Sequence, residues 1–235
     1  MRRKISVLLL VGLVVLVGIF AFKQTKENKQ YENYLSLKVF NDYSEMAFNI
    51  IQGHKYYNEI LESGRISAEH LRFLIESNSN IKMNAQDYQL FAIDINRLDG
   101  EEVSNLTSNN AASTGIYFFR LASQFAEELG VYNEETYGLY PVDLLSNESF
   151  ELDKDMIKDI TMIRDLNQEW VDVLVENIEG VSEHNPIDHS SYTDAYFDKT
   201  IEKDFWGEVL VELEKATEKF LKEQHIVQDI GTLFN

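Results

Sequence analysis

The stretch "SAEHLRFLIESNSNIKMNAQDYQLFAIDINRL", residues 67–98, decides between a chain of short helices and a bundle of long ones. Its centre, Ser77-Asn78-Ser79-Asn80, has the composition of a loop. Yet Leu71, Leu74, Asn78, Ile81, Ala85, Tyr88, Ala92 and Ile95 follow one another in unbroken steps of three and four. That spacing keeps one face of a helix turned toward the same neighbours, and it passes through the SNSN tetrapeptide without a slip. The reading is therefore a single helix, opened by Ser67 as N-cap.

The same arithmetic extends outward. Residues 31–62 place Val39, Tyr43, Met46, Ile50, Tyr57 and Ile60 on one face, with Gly53 filling the gap in the seven-residue register. Residues 148–179 align Met156, Ile160, Ile163, Trp170, Leu174 and Asn177; residues 194–224 align Trp206, Val209, Leu213, Ala216 and Phe220; a short tail carries Ile226, Ile230 and Leu233. In the third segment Ile116, Phe119, Ala122, Ala126 and Leu129 read as a core face. The preceding "SNLTSNNAASTG" (104–115) is small and polar, and fits either a capping loop or a closely packed helix. Gly64, Gly100, Gly130 and Gly180 each follow a helical run, the position at which glycine closes a helix in left-handed backbone. Pro141 and Pro186 are the only prolines and fall between segments. Four segments of about 32 residues, roughly 48 Å each, match in length as antiparallel neighbours must. No alternating strand pattern of useful length is present. The expected fold is all-α: an N-terminal transmembrane helix followed by an antiparallel bundle of four to five long helices.

The membrane expectation comes from "MRRKISVLLLVGLVVLVGIFAF", residues 1–22. Ile5 to Phe22 holds no charge, and its length, about 27 Å as a helix, approaches the roughly 30 Å of a bilayer core. A cleaved signal has a shorter apolar region and small residues at its cleavage site. Here Ala21 is preceded two positions earlier by bulky Ile19, which favours a retained anchor over a removed signal. Arg2, Arg3 and Lys4 lie before the run and Lys23, Lys26 and Lys29 after it, so the orientation signal is nearly balanced. The closer packing of the first three against the apolar run puts the amino terminus inside and the bulk of the chain outside. The organisation expected is thus an anchor over 1–22, a polar juxtamembrane linker over 23–30 made of tolerable helix formers, and an acidic bundle domain over 31–235. No helix breaker stands between Gly18 and Gly53, so anchor and first bundle helix are expected to be continuous.

Charge narrows the partners. The chain has 40 acids and 21 bases. Three of those bases and none of the acids precede residue 23, which leaves 40 acids against 18 bases and a formal charge of −22 on residues 23–235. Such a surface repels phosphate backbones, which excludes nucleic acid as a partner, and favours solubility or a cationic counterpart. No cysteine is present, which removes disulfides, thiolate chemistry and cysteine lipidation.

Chemistry-bearing motifs are sparse. In "SEHNPIDHSSYTD" (182–194), Glu183, His184, Asp188, His189 and Asp194 carry nitrogen and oxygen donors suited to a divalent metal, but in no recognised ligand spacing. No histidine has glutamate three residues before it, as a carboxylate di-iron bundle requires. "DINRLDGEE" (94–102) fails the calcium-loop pattern because Ile95 and Arg97 fall on ligand positions. The sequons at Asn105 and Asn147 are expected by chance in an asparagine-rich chain. Trp170 and Trp206 lie on apolar stripes, and the runs Asp153/Asp155/Asp159 and Glu212/Glu214/Glu218 read as solvated faces. No nucleophile-base set or phosphate loop is recognisable. The strongest recognition feature is "VYNEETYGLYPVDLL" (131–145), where Tyr132, Tyr137 and Tyr140 offer large contact area at low entropic cost. The functional expectation is a membrane-anchored, extracytoplasmic, non-enzymatic binding module for a protein or cell-envelope component, with no cofactor or metal. A ligand-sensing bundle acting through a membrane partner stands second and a metal-dependent hydrolase using the histidine-bearing loop third.

Overall fold

No helix breaker stands between Gly18 and Gly53, and the chain passes through the polar residues 23–30 as one helix, α1 (Arg2–Ser63). The structure is a computed structural model that describes residues 2–100, 104–133, 135–136 and 138–234, and the side chains of these except 2–9, 11 and 233. Val39, Tyr43, Met46, Ile50, Tyr57 and Ile60 are all buried. Gly64, in left-handed backbone at φ 63°, turns the chain into β1 (Arg65–Ser67). Ser67 then caps α2 (Ala68–Asp94) in a reciprocal capping box, accepting from the His70 amide while the His70 ring accepts from the Ser67 amide. The SNSN tetrapeptide lies inside α2, with Ser77 and Asn78 buried; Asn78 Nδ2 donates to the Leu74 carbonyl and to the Tyr57 hydroxyl on α1.

α2 stops earlier than the register implies. Asn96, at φ 55°, and not Gly100 supplies the left-handed residue, and the amides of Arg97 and Leu98 fold back onto the Ala92 carbonyl. The remaining helices are α3 (Leu106–Glu128), the single turn α4 (Pro141–Leu144), α5 (Lys154–Asn177), α6 (His189–Tyr196) and α7 (Phe205–Glu223), with 3₁₀ turns at Thr200–Glu202 and Ile230–Leu233. At 27, 23, 24 and 19 residues, α2, α3, α5 and α7 are shorter than the expected 32. Caps set from outside the apolar register take the difference: Asp153 accepts the first amides of α5, and Asp188 starts a separate helix within 182–194. The two open alternatives for 104–115 resolve as helix from Leu106 onward.

Helices α1, α2, α3, α7 and α5 pack side by side in that order around the core, and α5 returns to α1. β2 (Ser149–Glu151) pairs antiparallel with β1, Ile66 opposite Phe150, and Arg65 holds Glu151 at 2.9 Å. These strands are three residues each, too short for an alternating pattern to show in the sequence. The bundle is thus all-α apart from this latch.

Two further buried polar arrangements centre on α7. Trp170 Nε1 on α5 donates to Thr217 Oγ1 on α7 at 2.8 Å, and Thr217 also meets Thr107 at 3.2 Å on α3. Glu214 on α7, read from sequence as part of a solvated face, is only 3% exposed. Its carboxylate accepts from the amides of Ser104, Leu106 and Thr107, from the Ser104 hydroxyl, and from Gln89 Nε2. Asn105, the formal N-cap of α3, sits at φ 59° and makes no side-chain cap. A helix start needs acceptors for its free amides and favours negative charge; here a neighbouring helix supplies both. Glu212 and Glu218 do face solvent, paired with Lys215 and Lys222.

Outside the bundle α1 is bare. Leu10, Leu13, Val14, Val15, Leu16, Val17, Ile19, Phe20 and Phe22 are exposed, and among the described side chains the first buried residue along the helix is Ser36. Among the described residues no helix is long and apolar enough to cross a membrane. Part of the apolar run, residues 5–9 and 11, lies outside the described side chains, so the transmembrane expectation rests on the sequence.

Candidate functional site

The recognition loop grows out of the end of α3. Gly130, at φ 72°, lets the amides of Val131 and Tyr132 turn back to the Ala126 carbonyl. Asn133 and Thr136 brace the next turn: the Glu135 amide donates to Asn133 Oδ1, and the Asn133 amide donates to Thr136 Oγ1. Pro141 then opens α4, whose Val142 and the following Leu145 are fully buried, while Asp143 pairs with Arg72 on α2 at 2.7 Å. The loop is pinned at both ends and presents its middle.

Tyr132 and Tyr140 come together there; Tyr137 lies outside the described residues. They line, with Phe119, Gly138 and Leu139, a shallow groove of about 380 Å³. The Tyr140 ring rests on Phe119 at 5.9 Å between centroids. Burial pushes the Tyr140 hydroxyl pKa up, and the carboxylates of Glu76 and Asp143 add to this against the opposing Arg72. The hydroxyl therefore stays protonated across the physiological range and serves as a neutral donor. Leu139, on the groove wall, is 54% exposed.

Phe119 also closes a second groove of about 300 Å³ between α2 and α3, lined by Ile75, Ser79, Lys82, Ala111, Ala112, Gly115 and Ile116. Periodicity puts Ile116, Phe119 and Leu129 in the core, but all three are at the surface, Ile116 at 52% exposure. The core face of α3 is instead Ala111, Thr114, Phe118, Leu121, Ala122, Phe125 and Ala126. Two apolar stripes overlap on this helix and share the alanines at 122 and 126, so periodicity alone does not choose between them. Packing does: Phe118 stacks on Tyr57 at 5.9 Å and Phe125 on Phe150 at 4.2 Å. What remains is an apolar outer stripe that continues into the tyrosine loop. The small residues 111–115 are what make the trough beside it.

The histidine-bearing segment is not assembled as a ligand set. Asp188 caps α6, and its carboxylate is held below the usual range by the hydroxyls of Ser191 and Ser190. The His184 carbonyl accepts from Lys55 at 3.2 Å. His189 borders a groove of about 440 Å³ with Asn41, Ser44, Glu45, Phe48, Pro186 and Ile187. Among the described residues no group of three or more histidines or carboxylates converges as a metal site. Gly180 (φ 83°) is what lets this segment close: a Cβ there would lie 2.8 Å from the Tyr192 amide nitrogen.

No family model, no curated protein and no solved structure matches the chain. The class it defines is a five-helix bundle with one helix extended far beyond its packing partners.

Proposed function

We propose that this chain is a membrane-anchored, extracytoplasmic helical bundle that acts without catalysis, by binding a protein or cell-envelope component. The observation that carries the reading is α1 itself. Its bare stretch from Leu10 to Phe22 displays nine large apolar side chains with no protein cover. Such exposure is stable in hydrocarbon and costly in water, at about 25 cal/mol per Å² of apolar surface. The uncharged run of residues 5–22 has the length for a span. The acidic surface of residues 23–235 suits the aqueous side, and the tyrosine groove with its Ile116–Phe119 stripe is the recognition surface.

Alkaline extraction of membranes from cells expressing the full chain tests the anchor, and protease treatment of intact cells tests the side. Retention in the pellet with digestion of the bundle from outside supports the reading; release into the supernatant overturns it. Photocrosslinking from Leu139 then tests the groove. A specific adduct lost in Phe119→Asp, with the bundle still folded, supports recognition there; an unchanged adduct pattern removes the groove from the account.

A sensing role has one observation in its favour. The helix proposed to enter the membrane is also a core helix of the bundle, so a ligand that shifts α1 against α2 and α5 would move the anchor with it. Thermal-shift screening of small anions, amines and sugars tests this; stabilisation by none of them leaves the binding-module reading alone.

A further inference from the structure

Asn41, Glu45 and Phe48 follow on α1 in steps of four and three, with Ser44 beside them, and so share one side of the helix. The chain returns to that side after α5, where Asn185, Ile187 and His189 complete the groove of about 440 Å³. The returning segment is held in three ways. The Lys55 ammonium donates to the His184 carbonyl at 3.2 Å. The Ser182 amide donates to the Asn185 carbonyl while the Asn185 amide donates to Ser182 Oγ, and Asp188 caps α6. The groups that this groove presents are not used elsewhere. Among the described residues, the side chains of Asn41, Ser44, Asn185 and His189 make no hydrogen bond or ion pair with the rest of the chain. Glu45 accepts from Asn80 Nδ2 at 3.0 Å with one carboxylate oxygen and keeps the other. Phe48 meets Phe73 edge-on at 6.2 Å yet stays 45% exposed.

These groups select a ligand by its chemistry. Two carboxamides, a hydroxyl and an imidazole each donate and accept, and the free Glu45 oxygen accepts. A purely apolar ligand strips water from them and leaves them unpaired, which is costly. An anion meets Glu45, and no lysine or arginine lines the groove to hold it. An organic cation pairs with Glu45 and leaves the other four groups without a partner. A ligand whose hydroxyls donate and accept in several directions, and whose C–H faces are apolar, uses both the polar groups and Phe48, because an aromatic ring is negative over its face. We propose that this groove is a saccharide site for a neutral oligosaccharide, with Asn41, Asn185 and His189 on the sugar hydroxyls and Phe48 against a sugar face. Its volume falls within the roughly 300–1,000 Å³ of small-molecule sites. It shares no lining residue with the tyrosine groove or the α2–α3 trough, so it is a second site that depends on neither of them nor on the anchor.

Saturation-transfer NMR on the full chain in lipid nanodiscs, which unlike maltoside micelles bring no sugar, tests this with maltotriose, cellotriose and the N-acetylglucosamine trimer at about 10 mM each. At least one of the three is expected to bind, and the galacturonate trimer is not. Asn185→Ala and Phe48→Ala are each expected to weaken binding about tenfold, the loss of one hydrogen bond or one ring contact. Both positions are exposed, so an unchanged thermal midpoint is expected to accompany the loss. Phe119→Asp, in the tyrosine groove, is expected to leave saccharide binding as it was. Binding of none of the three, binding of the galacturonate trimer as well as the neutral ones, or binding indifferent to Asn185→Ala and Phe48→Ala overturns the site. Crosslinking from Leu139 reads the tyrosine groove separately, so a failed saccharide site leaves the function proposed above standing.

Discussion

Glu214 is the residue on which the start of α3 depends. The carboxylate satisfies three backbone amides, a hydroxyl and Gln89 inside the core, and the N-cap residue Asn105 makes no side-chain cap of its own. Glu214→Ala is expected to cost about 2–4 kcal/mol in denaturant unfolding, the sum of a lost cap and hydrogen bonds to a charged acceptor. Glu214→Gln is expected to lose less, since one oxygen still accepts. Histidine gives a second residue-scale prediction. His54 on α1 is half-buried, and its pKa is lowered chiefly by that burial and by Arg164; Asn167, Glu183 and Asp172 pull the other way. His70 is lowered by burial against Glu59 and Glu69. In both, the unfolded chain binds protons that the native one refuses, so stability falls as pH drops below the ordinary histidine value of 6.5 and levels off below the native values. Urea unfolding at pH 7.5 and 5.5 measures the loss. Comparison with His54→Gln isolates this residue's share from the opposing gain as carboxylates lose charge, and an equal pH dependence in the variant would exclude His54.

At the scale of elements, α1 serves two environments, and a break between them separates their roles. Gln30 is exposed, six residues before Ser36, the first buried position among the described side chains of the helix. Gln30→Pro is expected to leave the thermal midpoint of the bundle within about 1 °C, although proline costs a helix interior about 3 kcal/mol. Protease cutting between residues 23 and 35 is expected to rise several-fold, and both are measured on one preparation. The elements also show how far periodicity reads. In α1 and α2 the apolar stripe is single, and every position assigned to the core there is buried except Ile95, which lies past the end of α2. In α3 two stripes overlap, and the choice between Phe118 and Phe119 belongs to what packs against them. Helix ends were less legible: Asn96 does the work expected of Gly100, and Glu214 the work that Asn105 leaves undone. Both depend on contacts or backbone angles that residue identity alone does not state.

For the whole molecule, the formal charge of −19 sets a long-range repulsion that the ion pairs on the surface only partly relieve. Screening shortens that repulsion to about 10 Å at 0.1 M salt. The thermal midpoint of the bundle is therefore expected to rise by a few degrees between about 10 mM and 0.3 M sodium chloride, as scanning calorimetry would show; a falling midpoint would mean that attractive pairs dominate. The sequence by itself determined the helical class, the register of α1 and α2, the passage of α2 through SNSN and the continuity of α1, because these follow from local period and the absence of breakers. Only the tertiary structure decided which stripe of α3 is buried, that Glu214 is a core carboxylate, and that Ile116, Phe119, Leu139 and Tyr140 form one outer surface. Those outcomes turn on which helices are neighbours, and residues far apart in sequence supply the partners that burial and hydrogen bonding require.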